Sequence, residues 1–370
     1  MKRLVLCFDG TWKNASDVDV SNIEKIARTV RTDGGESGVQ QVVSYVPGVG
    51  ANYYLADRLL GGALGFGTLG NLVRGYRFLC LNYEPGDQVF VFGFSRGAAT
   101  ARSLAGMVSR VGLLDVHGLM SGRLDEAVRR YTGDYPARGE APSSADDFRV
   151  RYCHADPEIS FLGVFDTVAA LGRRARFNSF GLCDVVAVAR QALAIDEERL
   201  AFRPLLWDGD DTGTRHRPDR VAQVWFQGAH ADVGGGGGGA ETGLADTALL
   251  WMLREACAEG LEVDDDLLLR YVFTGGRARV HPSLTTFYRL SNALHRLARL
   301  GRPDPGFVRG RRSLTPPGAR DVRVASSAVA PGPALGVERV VAMPAWRDDV
   351  VRTLAPSTVP APGGRGLLVP

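Results

Sequence analysis

Over its first 260 residues the chain alternates short, almost unbroken apolar runs with stretches in which apolar positions recur every three to four residues. Leu4–Phe8, Val42–Val46, Gln88–Gly93, Ile159–Phe165 and Val221–Phe226 read as strands. Ile23, Ile26, Ala27 and Val30 share one face of a helix that Ser21 is placed to cap. Leu72, Val73, Tyr76, Leu79, Cys80 and Tyr83 mark a second helix before the Pro85-Gly86 turn, and Ala98–Val111 a third, rich in small residues. A further helix is predicted around Val185–Leu193, and Leu244, Thr247, Leu250, Trp251 and Arg254 mark another. Strands that lack polar alternation and take turns with helices predict an α/β protein: a mostly parallel central sheet with helices on both faces. In such sheets ligands bind beyond the carboxyl ends of the strands.

The polar stretch at about residues 115–150 reads as a helical insertion. Residues 1–300 are expected to form one main domain, and residues 301–370, rich in Pro, Arg and Gly, a C-terminal extension. Charged residues at 23% and hydrophobic ones at 45% exclude a largely disordered chain. A net charge of +3 without a basic stripe argues against a nucleic-acid partner. Five scattered cysteines with no C-x-x-C pair fit neither a disulfide framework nor a zinc site, and no cofactor motif is found. The apolar run after Met1-Lys2-Arg3 is only five residues long and meets Asp9, so neither a signal peptide nor a membrane span is expected. The expected address is cytoplasmic, with at most transient contact with a membrane surface; oligomeric state is not legible.

The chemistry begins at Gly93-Phe94-Ser95-Arg96-Gly97, a G-x-S-x-G sequence with an apolar strand before it and a small-residue helix after it. That context suits a serine nucleophile on a sharp strand-to-helix turn, where small flanking residues admit close backbone approach. The competing account is a buried serine at a tight junction, or a phosphate-binding turn. A serine needs a base, and the base an orienting acid. With the chain order Ser, acid, His, the acid candidate is Asp166 at the end of the strand Ile159–Phe165, unless it simply caps a turn. The base candidate is His230, just beyond the strand Val221–Phe226, with His281 as the fallback. For the oxyanion, the backbone N–H of Arg96 is one expected donor, and the N–H of Gly10 or Thr11 the other, although that loop serves equally as a structural turn. Asp9 and Asp232 are candidate supporting residues.

Together these segments resemble the α/β-hydrolase family first catalogued as a domain of unknown function, best known from type VI secretion phospholipase effectors of the first lipase-effector family. The matching pieces are Phe8-Asp9-Gly10-Thr11-Trp12, Tyr45 with Gly48-Val49-Gly50, Asn82-Tyr83 with Pro85-Gly86-Asp87, and Gly93–Ala98. Phe161–Val168, Ala194-Ile195-Asp196-Glu197, His230–Gly235 and Leu244–Glu255 continue the pattern, which covers about residues 1–290. Carried over, the family's triad falls on Ser95, Asp166 and His230. The resemblance implies an α/β-hydrolase-like fold and hydrolysis of carboxylic esters, with glycerophospholipids the best-attested substrates. The secreted effectors are usually longer and carry membrane-engaging modules, so a stand-alone hydrolase acting on another acyl ester is the variant expectation.

Two other readings fit parts of the sequence. A metal-dependent phosphatase with the D-x-D-G-T motif is disfavoured because Cys7 stands where its nucleophilic aspartate belongs, and Asp208, Asp210 and Asp211 lack the spacing of a calcium loop. A non-catalytic binding module that keeps the fold is the remaining alternative, ranked below catalysis because all three triad candidates are present. The apolar, glycine-rich stretch Leu59–Phe66 reads either as an acyl-pocket cover or as a loop into the next helix.

Overall fold

A computed structural model of the chain describes residues 1–10, 20–48, 63–136, 144–168, 181–207, 219–236, 243–272 and 280–298, and short segments between 307 and 341. Its strands are β1 (Arg3–Phe8), β2 (Gln41–Val46), β3 (Gln88–Phe94), β4 (Ile159–Phe165), β5 (Val186–Ala194) and β6 (Val221–Phe226). They are followed by β7 (Phe307–Val308), β8 (Arg311–Arg312), β9 (Arg323–Ala325) and β10 (Val340–Val341). Eight of these make one sheet in the order β10-β9-β6-β5-β4-β3-β1-β2, and every described ladder in it is parallel. β7 and β8 pair separately as an antiparallel hairpin.

The helices that cover the sheet explain why its strands lack polar alternation. On one face Val5, Cys7, Phe90, Phe92 and Phe161 pack with Ile23 and Ile26 of α1 (Asn22–Thr29). The helix α8 (Gly243–Ala258), whose Leu249–Leu253 segment is buried, completes that layer together with Leu268 of α9 (Asp265–Tyr271). On the other face Leu4, Leu6, Phe8, Val89 and Val91 meet α2 (Ala63–Asn82) and α3 (Arg96–Val111). Each fully buried Phe or Leu in these layers contributes about 1.5–3 kcal/mol of transfer free energy. Ser21 caps α1 by accepting from the Glu24 N–H. The predicted insertion consists of α4 (Val116–Met120), α5 (Leu124–Thr132) and α6 (Ala145–Tyr152), which bury Ala127, Tyr131 and Phe148 in the second layer.

One element corrects the sequence reading. The helix predicted around Val185–Leu193 is the strand β5, at the middle of the sheet. Its alanines and its Arg190 and Gln191 mimic a helical polar face, but both polar side chains are buried and paired. Arg190 donates to Glu255 Oε2 at 2.6 Å. Gln191 donates to Gln223 Oε1 at 3.1 Å and accepts from Thr167 Oγ1 at 2.6 Å. Buried polar groups satisfied across neighbouring elements leave no periodic trace in the sequence. β9 also joins the main sheet, in parallel beside β6, although it lies in the Pro/Arg/Gly-rich region. Thr11, residues 59–62 of the Leu59–Phe66 stretch and the aspartates at 208, 210 and 211 lie outside the described residues.

Candidate active site

Ser95 stands alone between β3 and α3, with φ 58° and ψ −120°, and is almost fully buried. A serine in this region is strained. The surrounding hydrogen bonds hold it there: its N–H donates to Phe165 O at 3.0 Å and its carbonyl accepts from Ala99 N at 3.2 Å. The flanking glycines are steric necessities. A Cβ at Gly97 would lie 2.2 Å from Phe8 O and 2.4 Å from Asp9 O; one at Gly93 would lie 2.6 Å from Gly97 O. The end of β1 and the start of α3 are therefore in backbone contact, which only glycine permits.

Asp166 ends β4 with φ 40° and is completely buried. His230 opens the short helix α7 (His230–Gly234), directly after β6, and its Nδ1 lies 2.5 Å from Asp166 Oδ2. Burial alone would raise the Asp166 pKa, but the Arg312 guanidinium and His230 together hold it well below the usual carboxylate range. Asp166 is thus an acceptor, His230 Nδ1 carries the proton, and Nε2 is the nitrogen left to act as a base. The imidazole ring packs against Phe94, at 4.7 Å between centroids, and edge-on against Phe202, at 4.9 Å. Phe94 immediately precedes Ser95, so the serine turn and the histidine are joined through one aromatic contact. Ser95, Asp166 and His230 accordingly follow the carboxyl ends of β3, β4 and β6, the edge where parallel sheets place their ligands.

Two buried groups beyond the sequence candidates shape this corner. Arg312, on β8, has a fully buried side chain; its Nη1 donates to Asp166 Oδ1 at 2.6 Å and its Nη2 to Oδ2 at 3.0 Å. Nη1 also donates to Ala194 O and Nη2 to Phe202 O. Nothing in the spacing of the Arg-Gly-Arg-Arg run that contains it singles this arginine out. Glu197, from the Ala194–Glu197 motif, accepts the His230 backbone N–H at 3.2 Å and pairs with Arg199 at 2.7 Å. Burial opposes its ionisation, yet Arg199, and beyond it Arg312, bring its pKa below normal. Asp196 of the same motif accepts from Gly228 N at 2.8 Å, fixing the loop that leads to His230.

The remaining candidates fall around this centre. Asp9 accepts from Gly10 N at 2.6 Å, Ser21 Oγ at 2.6 Å and Tyr45 Oη at 2.7 Å, tying the end of β1 to α1 and β2. The Gly10 N–H therefore faces the Asp9 carboxylate in this state, while the Arg96 N–H sits in the first turn of α3, where the helix dipole favours an anion. Burial lowers the Arg96 side-chain pKa to about 10, with Tyr288 opposing, so the guanidinium stays charged at neutral pH. Asp232 reaches back to the Ala229 N–H at the start of α7. It also accepts the backbone N–H of His281 at 3.0 Å and lies 2.6 Å from His281 Nδ1, so the fallback base is held by Asp232 rather than by Asp166. Burial and the nearby Asp9 charge push the Cys7 thiol above its ordinary range, and it is inert as a nucleophile.

Fold and site together define a class: an α/β protein of the hydrolase type, with a serine on a strained strand-to-helix turn beside a buried aspartate–histidine pair. Within that class the chain belongs to the family described as T6SS, phospholipase effector Tle1-like, catalytic domain, whose match spans residues 2–255. It is 31% identical over 229 residues to the uncharacterized protein YEL023C of Saccharomyces cerevisiae, an alignment that takes in 55% of this chain and 32% of that one. The chain thus spans about a third of the length of that relative. Among solved structures it is similar to an uncharacterized protein from Pseudomonas aeruginosa, with TM-score 0.44 and 20% identity over 71% of this chain and 47% of that one. It is also similar to the Tle1 effector bound to the VgrG spike of the type 6 secretion system, with TM-score 0.36 and 21% identity over 63% and 50% of the two chains.

Proposed function

We propose that the protein is a serine hydrolase of carboxylic esters, working on lipid esters of the glycerophospholipid class. The observation that carries this reading is the buried Asp166–His230 hydrogen bond beside a serine held at positive φ. In this mechanism Ser95 Oγ attacks the ester carbonyl while His230 Nε2 takes its proton, and Asp166 stabilises the imidazolium. The Arg96 N–H at the start of α3 holds the oxyanion. The tetrahedral intermediate collapses to the acyl-enzyme as its C–O bond to the alcohol breaks, and the alcohol departs with the proton from His230. Water, deprotonated by the same histidine, then releases the fatty acid and restores Ser95.

The lipid part of the reading is supported by α10 (Thr286–Ala298), whose amphipathic pattern is inverted. Asn292 turns inward, donating to Glu198 O and accepting from Leu200 N. Tyr288 lies edge-on to Phe202, the ring that contacts His230. Phe287, Leu290, Leu294 and Leu297 face outward, each more than half exposed. Such an outward apolar stripe beside a reaction centre suits a substrate presented at a lipid surface. No helix among the described residues is long and apolar enough to cross a membrane.

The test compares wild type with Ser95→Ala on p-nitrophenyl esters of increasing chain length, and then on phospholipid vesicles with lysolipid release as the readout. Serine-dependent turnover that rises with chain length, or at the vesicle surface, is the expected result. No turnover of any ester by folded wild-type protein would move the assignment to a binding module.

A further inference from the structure

The charge that balances Asp166 comes from outside the segment that matches the family, because Arg312 lies well beyond residue 255. Its guanidinium meets the carboxylate end-on, one Nη to each oxygen, and is itself fixed by the carbonyls of Ala194 and Phe202. An arginine fork used in this way sets orientation as well as charge, because two parallel hydrogen bonds define the plane of the carboxylate. Asp166 Oδ1 also accepts from Ala194 N at 3.0 Å, so Oδ2 is the oxygen directed to His230.

The other charged and titratable groups around the pair are themselves matched. Glu197, after β5, is paired with Arg199. Asp232, on the helix that carries His230, is paired with His281. Among the described residues, Arg96 of α3 faces Tyr288 of α10, whose ring lies against Phe202. Phe94 and Phe202 supply apolar walls. Among the described residues, Arg312 is thus the arginine in direct contact with the acid of the candidate triad.

We propose that Arg312 is a positioning residue of the catalytic unit: through its fork on Asp166 it fixes the carboxylate toward His230 and offsets its charge, making the β7–β8 hairpin part of the active site. This rests on the serine-hydrolase reading above. In the resting enzyme the Asp166–His230 contact is then an oriented hydrogen bond inside a neutralised group. Without the guanidinium the carboxylate loses its fixed plane and its full charge acts on the ring.

The experiment measures kcat and KM against pH for wild type, Arg312→Lys and Arg312→Gln. Arg312→Gln is expected to lower kcat about 100-fold, as for a displaced catalytic group, with little change in KM. Its acid limb should move to higher pH by about one unit, because the pair titrates as a unit and a neighbouring cation has been removed. Arg312→Lys keeps the charge without the fork; its acid limb should stay near that of wild type while kcat falls about 10-fold. The second readout is the downfield proton NMR resonance of the Asp166–His230 hydrogen bond, recorded in wild type, Ser95→Ala and Arg312→Lys. It is expected in the first two at the same position and displaced in the third, and it requires no turnover, so it still judges Arg312 if the hydrolase reading fails. Folded Arg312→Gln with wild-type kcat and acid limb, or an Arg312→Lys resonance identical to that of wild type, would overturn the proposal.

Discussion

Asp166–His230 and Asp232–His281 are two aspartate–histidine pairs with nearly equal separations, 2.5 and 2.6 Å, joined through the short helix α7 that carries His230 and Asp232. Their settings differ. Asp166 closes a central strand, is clamped by Arg312 and Ala194 N, and presents Oδ2, which also accepts from Arg312, to a ring packed between two aromatics. Asp232 spends one oxygen on the backbone of Ala229 and His281, and the imidazole it holds is 38% exposed, against 8% for His230. The first arrangement can hold a proton in a fixed direction next to Ser95. The second ties the start of α7 to the segment carrying His281. The separation within a pair therefore does not tell the two apart; burial, a balanced charge and a rigid strand end do.

The comparison can be broken by exchanging the roles of the two histidines. His230→Ala is expected to lower kcat/KM by at least about 1000-fold, as for loss of a triad base. His281→Ala should stay within about threefold of wild type, and the reverse order would move the base to His281. The two acids sharpen the same contrast. Asp166→Asn should cost about 1000-fold or more in kcat, because the amide leaves the histidine in the wrong tautomer. Asp232→Ala should instead lower stability by about 1 kcal/mol, the usual cost of a lost cap at a helix start, with activity nearly retained. Thermal melts beside esterase rates separate these outcomes.

The smallest effect concerns acid. The folded-state pKa of Asp166 is depressed by Arg312 and His230 against the opposing influence of burial, while an unfolded aspartate titrates at about 3.9. The group binds more protons unfolded than folded, so its stabilisation is complete above that value and is lost as pH falls below it toward the lower folded pKa. The stability gap between wild type and Asp166→Asn should therefore narrow between pH 5 and about pH 3. A gap that widens on acidification would show that Asp166 is not held ionised.

Much of this was legible in the chain because the informative residues terminate apolar runs. Ser95, Asp166 and His230 each follow a strand whose two faces are both buried, so the strand ends could be read directly. β5 was not legible, since Arg190 and Gln191 look like solvent-facing residues until Glu255 and Gln223 are brought beside them. Arg312 was hidden for a related reason. Its partner is 146 positions away, and its neighbours in sequence are other arginines and glycines with no pattern of their own. The loop after β1 offers Gly10 or Thr11 as a donor by its place in the sequence, and the Asp9 side chain engages the Gly10 N–H.

The most direct test of the central claim is covalent trapping. Wild type and His230→Ala would be incubated with a long-chain alkyl phosphonate ester, and the modified peptide identified by mass spectrometry. The account predicts one phosphonyl group per chain, on Ser95, formed rapidly in wild type and at least about 1000-fold more slowly without the base. Labelling at another residue, or equal labelling of Ser95 in both proteins, would contradict it.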